Sequence, residues 1–333
     1  MDIRMVDVLD DDDFAAWHAV FDAGYRVGRV DPPIWTVAEL LVSYRDPDRS
    51  WEHELFAAVE DGVVVGAAEV EYPLRDNQNL AEFGIAVPAE HRRRGIGSAL
   101  YDAVAARITE LGRPVIGTAV NQPVNAPEEP GVAFLTKRGL TRRNTEARRV
   151  LRLPVEPSLL DRMERRALER SGGYRITTWR DSCPDEYAEQ YAQLKALLSV
   201  QAPLGELDYE LEHWDVERLR AEERVTAEQR RTILTAVAVA PDGTLAGHTQ
   251  IAIPGLEAHK AYQWDTLVLP DHRGHRLGAL LKLINLRRLA EFRDRDRIET
   301  WNALQNDHMN AINDELGFET VEHFEEWQSG SAD

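Results

Sequence analysis

The chain has 333 residues, 43% of them hydrophobic and 29% charged, an ordinary globular balance with length for two cores. A formal net charge of -19 speaks against a phosphate-backbone partner, so no nucleic acid is expected. No apolar run reaches membrane-spanning length, Met1-Asp2-Ile3-Arg4 is no secretory leader, and Cys183, the single cysteine, permits no internal disulfide; these point to a cytoplasmic protein with no membrane partner.

In chain order, Ile3 to Val8 reads as a first strand, followed by a helical region carrying Phe14, Trp17 and Phe21. Leu55 to Val59 and Val63 to Val70 form a hairpin with Asp61-Gly62 at its turn. Glu82 to Val87 is a strand, Ser98 to Leu111 a helix with apolar residues at helical spacing, and Val115 to Val120 a strand. Gly131 to Arg138 is a helix stopped at Gly139-Leu140, and Ala147 to Leu153 a closing strand. Ser158 to Arg170 is a linking helix, capped by Ser158 and ended by Ser171-Gly172-Gly173.

The same order then returns. Tyr174 to Trp179 is a strand, leading into a region with Tyr187 and Tyr191. Thr232 to Val239 and Leu245 to Ile253 flank Pro241-Asp242-Gly243, Gln263 to Val268 is a strand, and Ala279 to Phe292 a helix. Ile298 to Trp301, the helix Asp307 to Leu316 with Gly317-Phe318 behind it, and Thr320 to Trp327 complete the repeat. The two copies align without a gap from Glu82 to Gly97 against Gln263 to Gly278, a constant offset of 181. The expected domains are 1–153 and 174–333, joined by a linker at 154–173.

The centre of each copy is a strand, an arginine- and glycine-bearing turn, and a helix: Arg92-Arg93-Arg94-Gly95-Ile96-Gly97 before Ser98, and Arg273-Gly274-His275-Arg276-Leu277-Gly278 before Ala279. The first turn of a helix carries unpartnered N–H groups with partial positive charge, glycine admits close approach, and arginine adds donors. Such a site suits a pyrophosphate. One copy alone is weak in an arginine-rich chain; two in register are much stronger. A nicotinamide fold would want Gly-x-Gly-x-x-Gly after its first strand, and neither half has it.

Val87 to Gly97 resembles the acetyl-CoA pyrophosphate loop of the GNAT superfamily, Gln/Arg-x-x-Gly-x-Gly/Ala after the fourth strand, and the resemblance spans both halves. The tandem layout is similar to that of mycothiol synthase and related actinobacterial double-GNAT proteins. The resemblance implies an α/β (α+β) chain of two GNAT folds, each a mixed, mostly antiparallel twisted sheet flanked by helices. It implies acetyl-CoA as cofactor and an amine of a small molecule as acceptor, attacked directly. It places the acetyl group between the fourth and fifth strands, with backbone N–H groups near Ala86-Val87 and Leu267-Val268 polarising the thioester. It also puts Asn302 and Asn306 against the coenzyme arm. Arg276 stands where the loop's first glycine is expected, either gripping a phosphate or spoiling the loop. Neither half has the family's acidic tyrosine; those positions hold Leu135 and Asn313.

A lysine-like amine of pKa about 10.4 must lose a proton before attack, so a base near the thioester is sought. The candidates are Asp265 with Tyr262 in the second half, and Glu82 in the first. Asp265 leads, because it sits inside an apolar run; pairing with an arginine is the alternative. A bulge in the fourth strand would break alternation, so the facing of these side chains stays open. The histidines show no metal-ligand spacing, and no metal is expected. His213 reads as part of an acidic helix face, Cys183 as a turn residue, and the tryptophans mostly as core. The competing reading is a non-catalytic acetyl-CoA-binding or sensor protein with one or both halves degenerate. The chain is expected to be a monomer, as a pseudo-dimer, or a homodimer.

Overall fold

The computed structural model describes residues 1–201 and 205–329. They form two compact units. The first comprises Met1–Thr145, Glu206–Asp208 and the chain from His323 onward. Its β1 (Asp2–Met5) is followed by α1 (Asp11–Tyr25) and α2 (Val37–Arg45). The antiparallel run β2 (Trp51–Glu60), β3 (Val63–Pro73), β4 (Leu80–Ala86) comes next, with β1 on the outer edge of β2. The hairpin turns on Asp61 and Gly62, both at positive φ, as a two-residue turn between twisted strands requires. α3 (Ile96–Leu111) crosses over to β5 (Val115–Pro123), which pairs parallel to β4. α4 (Pro130–Thr136) leads into β6 (Leu140–Arg152).

Each face of this sheet has its own helices. Ile96, Leu100, Val104 and Ile108, one stripe of α3, pack on Phe56, Val70 and Phe83. Phe14 and Trp17 of α1 and Tyr44 of α2 pack on the other side against Leu55, Ala57 and Ala67. The sequence reading passes over α2, although Thr36 and Glu39 form a complete capping box at its start.

The second unit holds Glu146–Gly205 and Tyr209–Glu322. α5 (Pro157–Leu168) is capped by the Glu156 carboxylate, which accepts from the Ser158 N–H; the expected Ser158 cap is displaced by two residues. Then follow β7 (Arg175–Arg180), α6 (Asp185–Ala196), α7 (Leu198–Gln201) and α8 (Val216–Glu228), the last capped by Asp215. His213 therefore precedes the helix instead of lying on it. β8 (Thr232–Val239), β9 (Leu245–Ile253) and β10 (His259–Val268) form an antiparallel run, with β7 on its outer edge. α9 (Leu277–Leu289) crosses to β11 (Arg295–Ala303), parallel to β10. α10 (Asp307–Leu316) and β12 (Glu319–Ser329) complete the chain.

The units do not divide at residues 153 and 174. Glu146 to Arg152 of β6 pair with Arg297 to Ala303 of β11 in the second unit, and the end of β12 belongs to the first, where Ile116 N–H donates to Ser329 Oγ at 3.0 Å. Each final strand runs longer than its own repeat needs, so its backbone groups find partners outside that repeat.

Arg148 of β6 is buried between Glu299 and Glu322, at 2.9 Å and 3.4 Å, with all three side chains at most 3% exposed. Removing the guanidinium takes the nearest counter-charge from Glu299, which keeps Arg297 at 3.7 Å, and breaks the buried pair with Glu322. Arg148→Ala is expected to cost about 3–5 kcal/mol in denaturant unfolding, and Arg148→Met combined with Glu299→Leu and Glu322→Leu much less.

Candidate acyl-transfer site

In both units the loop after the central strand has one backbone form. Arg92 Nε donates to Val87 O at 2.9 Å and Arg273 Nε to Val268 O at 3.2 Å, so the first arginine of each loop braces the end of its strand. Two left-handed residues follow: Arg93 (φ 64°) and Gly95 (φ 86°) in one, Gly274 (φ 84°) and Arg276 (φ 55°) in the other. Glycine and arginine have exchanged places between two positions that both demand positive φ. The loop at Arg276 is thus intact, at the cost of holding an arginine in a conformation that suits glycine. Arg93 and Arg276 are exposed and make no side-chain bond among the described residues. Arg94 instead pairs with Glu60. His272 and His275 bond to Tyr174 Oη and Arg170 O, at 2.9 Å and 3.1 Å.

Both loops open helices with bare N-termini. α3 and α9 have no side-chain cap and no acidic residue in the first turn, whereas α1, α2, α8 and α10 have both. The free N–H groups and the helix dipole at α3 and α9 favour an anion.

Beside each loop a parallel strand pair comes apart. β4 and β5 pair from Leu80↔Val115 to Glu82↔Gly117, and β10 and β11 from His259↔Arg295 to Tyr262↔Glu299; the registers end there. At each fork a threonine hydroxyl donates to the first parted carbonyl: Thr118 to Phe83 O at 2.7 Å, and Thr300 to Gln263 O at 3.3 Å. Glu82 thus corresponds to Tyr262, 180 positions on, and not to Gln263 as the gapless alignment implies. The extra residue lies in β10, whose register against β9 shifts between Gln263 and Thr266; Trp264 and Asp265 form a bulge. β4 pairs with β3 without a shift from Glu82 to Ala86.

Residues 15–139 match the acetyltransferase (GNAT) family. No curated protein matches the sequence. Among solved structures, a tandem GNAT protein from the clavulanic acid biosynthesis pathway is similar over 100% of this chain and 99% of its own, at 24% identity and TM-score 0.77. The chain carries two GNAT folds in tandem. A GCN5-related N-acetyltransferase from Sphaerobacter thermophilus is similar over 98% of this chain and 95% of its own, at 15% identity and TM-score 0.65. Among the described residues no helix is long and apolar enough to cross a membrane.

In the first GNAT fold the fork borders an acidic face. His53, Glu71, Glu82 and Gly117 are cross-strand partners on β2, β3, β4 and β5, so they share one face of the sheet. It is the α1–α2 face, because Tyr44 of α2 donates to Glu69 and stacks on His53, and Phe21 of α1 lies over Gly84. His53 Nδ1 is 2.8 Å from Glu69 and 3.6 Å from Glu71. The three residues gather their ligand atoms within 4.8 Å of one another. Gly117 has no Cβ; one placed there would lie 3.1 Å from Glu82 Cγ, so the glutamate extends over the glycine. Desolvation under α1 and α2 and the charges of Glu69 and Glu82 push the Glu71 carboxyl above its ordinary range, although 38% of the side chain reaches solvent, which weakens the effect. Burial, opposed by a hydrogen bond from Asn144, raises that of Glu326, with Glu82 adding to the rise. No lysine or arginine pairs with Glu69, Glu71 or Glu326 among the described residues. Of this group sequence reasoning found Glu82 alone; two carboxylates two apart in the otherwise apolar strand β3 were the available signal.

The second fold differs. Asp265 Oδ2 lies 3.7 Å from Lys195 Nζ, so its partner is a lysine from α6. Tyr262 donates to Glu257 at 3.2 Å, and burial raises the phenol beyond its usual range. Asn306 caps α10, accepting from Met309 N at 3.3 Å. Asn302 Oδ1 accepts from Asn313, whose own carbonyl accepts from buried Lys282 at 2.7 Å. Burial, with Arg149 nearby, lowers the Lys282 pKa to about 7. Cys183 is buried, its thiol pushed up to about 12 by burial and the charge of Glu223, which removes its nucleophilic character near neutrality.

The left-handed arginine generates a stability prediction. Arg276→Gly is expected to raise stability by about 1 kcal/mol and Gly274→Ala to lower it by about as much, since open space surrounds Gly274 and only its φ resists a side chain. Thermal unfolding of the two variants checks both signs.

Proposed function

We propose that the protein transfers an acetyl group from acetyl-CoA to an amine of a small molecule, with the first GNAT fold as the reacting half. The loops 92–97 and 273–278, with Ser98 and Ala279, are the candidate pyrophosphate cradles: bare helix N-termini, arginine donors and left-handed turns together suit that anion. In the first fold the parted strands leave the backbone of Ala86 and Val87 for the thioester carbonyl.

The observation that carries the choice of half is the acidic face at the fork. An alkylammonium entering there meets Glu69, Glu71 and Glu82, whose mutual repulsion it relieves. Glu82 stands on the strand that borders the fork, in position to take a proton from the ammonium, directly or through water. The freed amine then attacks the thioester carbon; the carbon–sulfur bond breaks and the thiolate leaves. The sequence favours Asp265 for this role, but its carboxylate faces Lys195 at 3.7 Å, which commits it to a cation already present.

Acetyl-CoA at about 100 times its dissociation constant is expected to add roughly 2.7 kcal/mol of stability. The absence of any rise in melting temperature at millimolar acetyl-CoA would remove the basis of the proposal. Glu82→Gln is expected to cut turnover by about 10²–10⁴-fold while that thermal shift persists. Asp265→Asn should leave turnover near the wild-type rate. If Asp265→Asn abolishes turnover and Glu82→Gln spares it, the second fold is the reacting half.

Glu71 gives a test that needs no turnover. Its folded pKa is raised, so the native state holds a proton that the unfolded chain releases at lower pH. Stability from this group is therefore lost as pH rises from the ordinary carboxyl range through the raised value. Glu71→Gln is expected to raise the melting temperature at pH 8, with little change near pH 4. A lower melting temperature at pH 8 contradicts the assignment.

A further inference from the structure

Lys195 lies in the last turn of α6, in the second fold, with its side chain 6% exposed. Nζ lies 2.8 Å from Glu222 Oε1, 3.4 Å from Gln250 Oε1 and 3.7 Å from Asp265 Oδ2. The Trp214 ring centroid is 4.8 Å away, and the Arg218 guanidinium also lies over that ring, at 4.5 Å. Two carboxylates, an amide oxygen and an aromatic face are the parts that hold a primary ammonium. They come from separate elements: Trp214 from the segment before α8, Glu222 from α8, Gln250 from β9 and Asp265 from the bulge in β10.

The strand register relates this cage to the acidic face of the first fold. Ala252 pairs with Tyr262 as Glu71 pairs with Glu82, so Gln250, two residues before Ala252, holds the place of Glu69. The Trp264–Asp265 bulge stands where β4 has Gly84, the partner of Glu69. We infer that the second fold contains a built binding site for a primary alkylammonium, and that its occupant is the chain's own Lys195. This rests on the reading that this face of a GNAT fold receives the amine.

A tethered ligand has a high effective concentration, so a free amine does not displace it. The second fold is thereby closed to external acceptors, while the first, with Glu69 and Glu71 and no lysine beside them, takes an amine from solution. The burial that opposes a charge on Lys195 is outweighed by Glu222 and Asp265, so the ammonium is retained. Removing the lysine side chain leaves a cavity of its length, lined by carboxylates.

The test is chemical rescue of Lys195→Ala in the full chain. The variant is expected to melt below the wild type. n-Butylammonium, which matches the missing side chain, should raise its melting temperature saturably and by more than it raises that of the wild type. Tetramethylammonium at the same concentration should not, because it lacks N–H donors. Where Lys195→Ala does not fold in buffer, it is refolded in each salt, and recovery in n-butylammonium alone supports the site. Equal increments in variant and wild type, equal effects of the two cations, or no recovery in either overturn it. The comparison with wild type subtracts any binding to the first fold. Loss of the acetyl-CoA shift would defeat the acyl-transfer reading and leave this result untouched.

Discussion

Each GNAT fold depends on a parallel strand pair that begins as a ladder and then separates. Parting two central strands leaves N–H and C=O groups without ladder partners in the interior, where each costs free energy comparable to a lost hydrogen bond. The threonine at each fork, Thr118 or Thr300, satisfies one carbonyl and marks where the ladder stops. The loop that follows adds two left-handed residues, and the helix after it begins with no cap. All three features lower stability, and they adjoin one another. Local rules broken together, with the surrounding sheet well packed, are the mark of a ligand site in place of a folding error.

The two copies have kept this backbone while exchanging its chemistry. The left-handed pair survives although arginine and glycine have traded places, because the loop needs the conformation and not a particular residue. Where the first fold places Glu69, Glu71 and Glu82, the second has Gln250, Ala252 and Tyr262, and it brings in Lys195 as a counter-charge for Asp265. Backbone geometry is set by sheet register and turn sterics, which tolerate most side chains. Charge is not so constrained, so it is the part of a duplicated site that diverges.

Much of the fold was legible because its signals are local. Asp61-Gly62 requires its hairpin, the α3 stripe has helical spacing, and the doubled Arg/Gly turn marks both loops. The β10 bulge was hidden by the similarity around it: an identical offset through the loop makes a gapless alignment convincing, and one extra residue in the strand before it changes which side chains correspond. The exchange of β6 and β12 was equally hidden, since no local pattern tells a strand which neighbour it will pair with. Lys195 and Asp265 are 70 positions apart, so a carboxylate in an apolar strand was visible while the ammonium that answers it was not.

The interiors of the two folds show how this divergence bears on stability. In the second, two buried cations are answered within the protein, Arg148 by Glu299 and Glu322 and Lys195 by Glu222 and Asp265. A satisfied polar network fixes one arrangement and has little to gain from a ligand. In the first, Glu69 and Glu71 have His53 as their basic neighbour, and burial raises the Glu71 carboxyl toward its neutral form. Like charges held together by the sheet register cannot move apart, so the strain is relieved by a proton or by a cation from solution. A proton and an alkylammonium therefore compete for the same carboxylates. An amine that must arrive charged and react neutral needs an anionic face with a proton acceptor beside it, and under the proposed reaction Glu69, Glu71 and Glu82 would supply both.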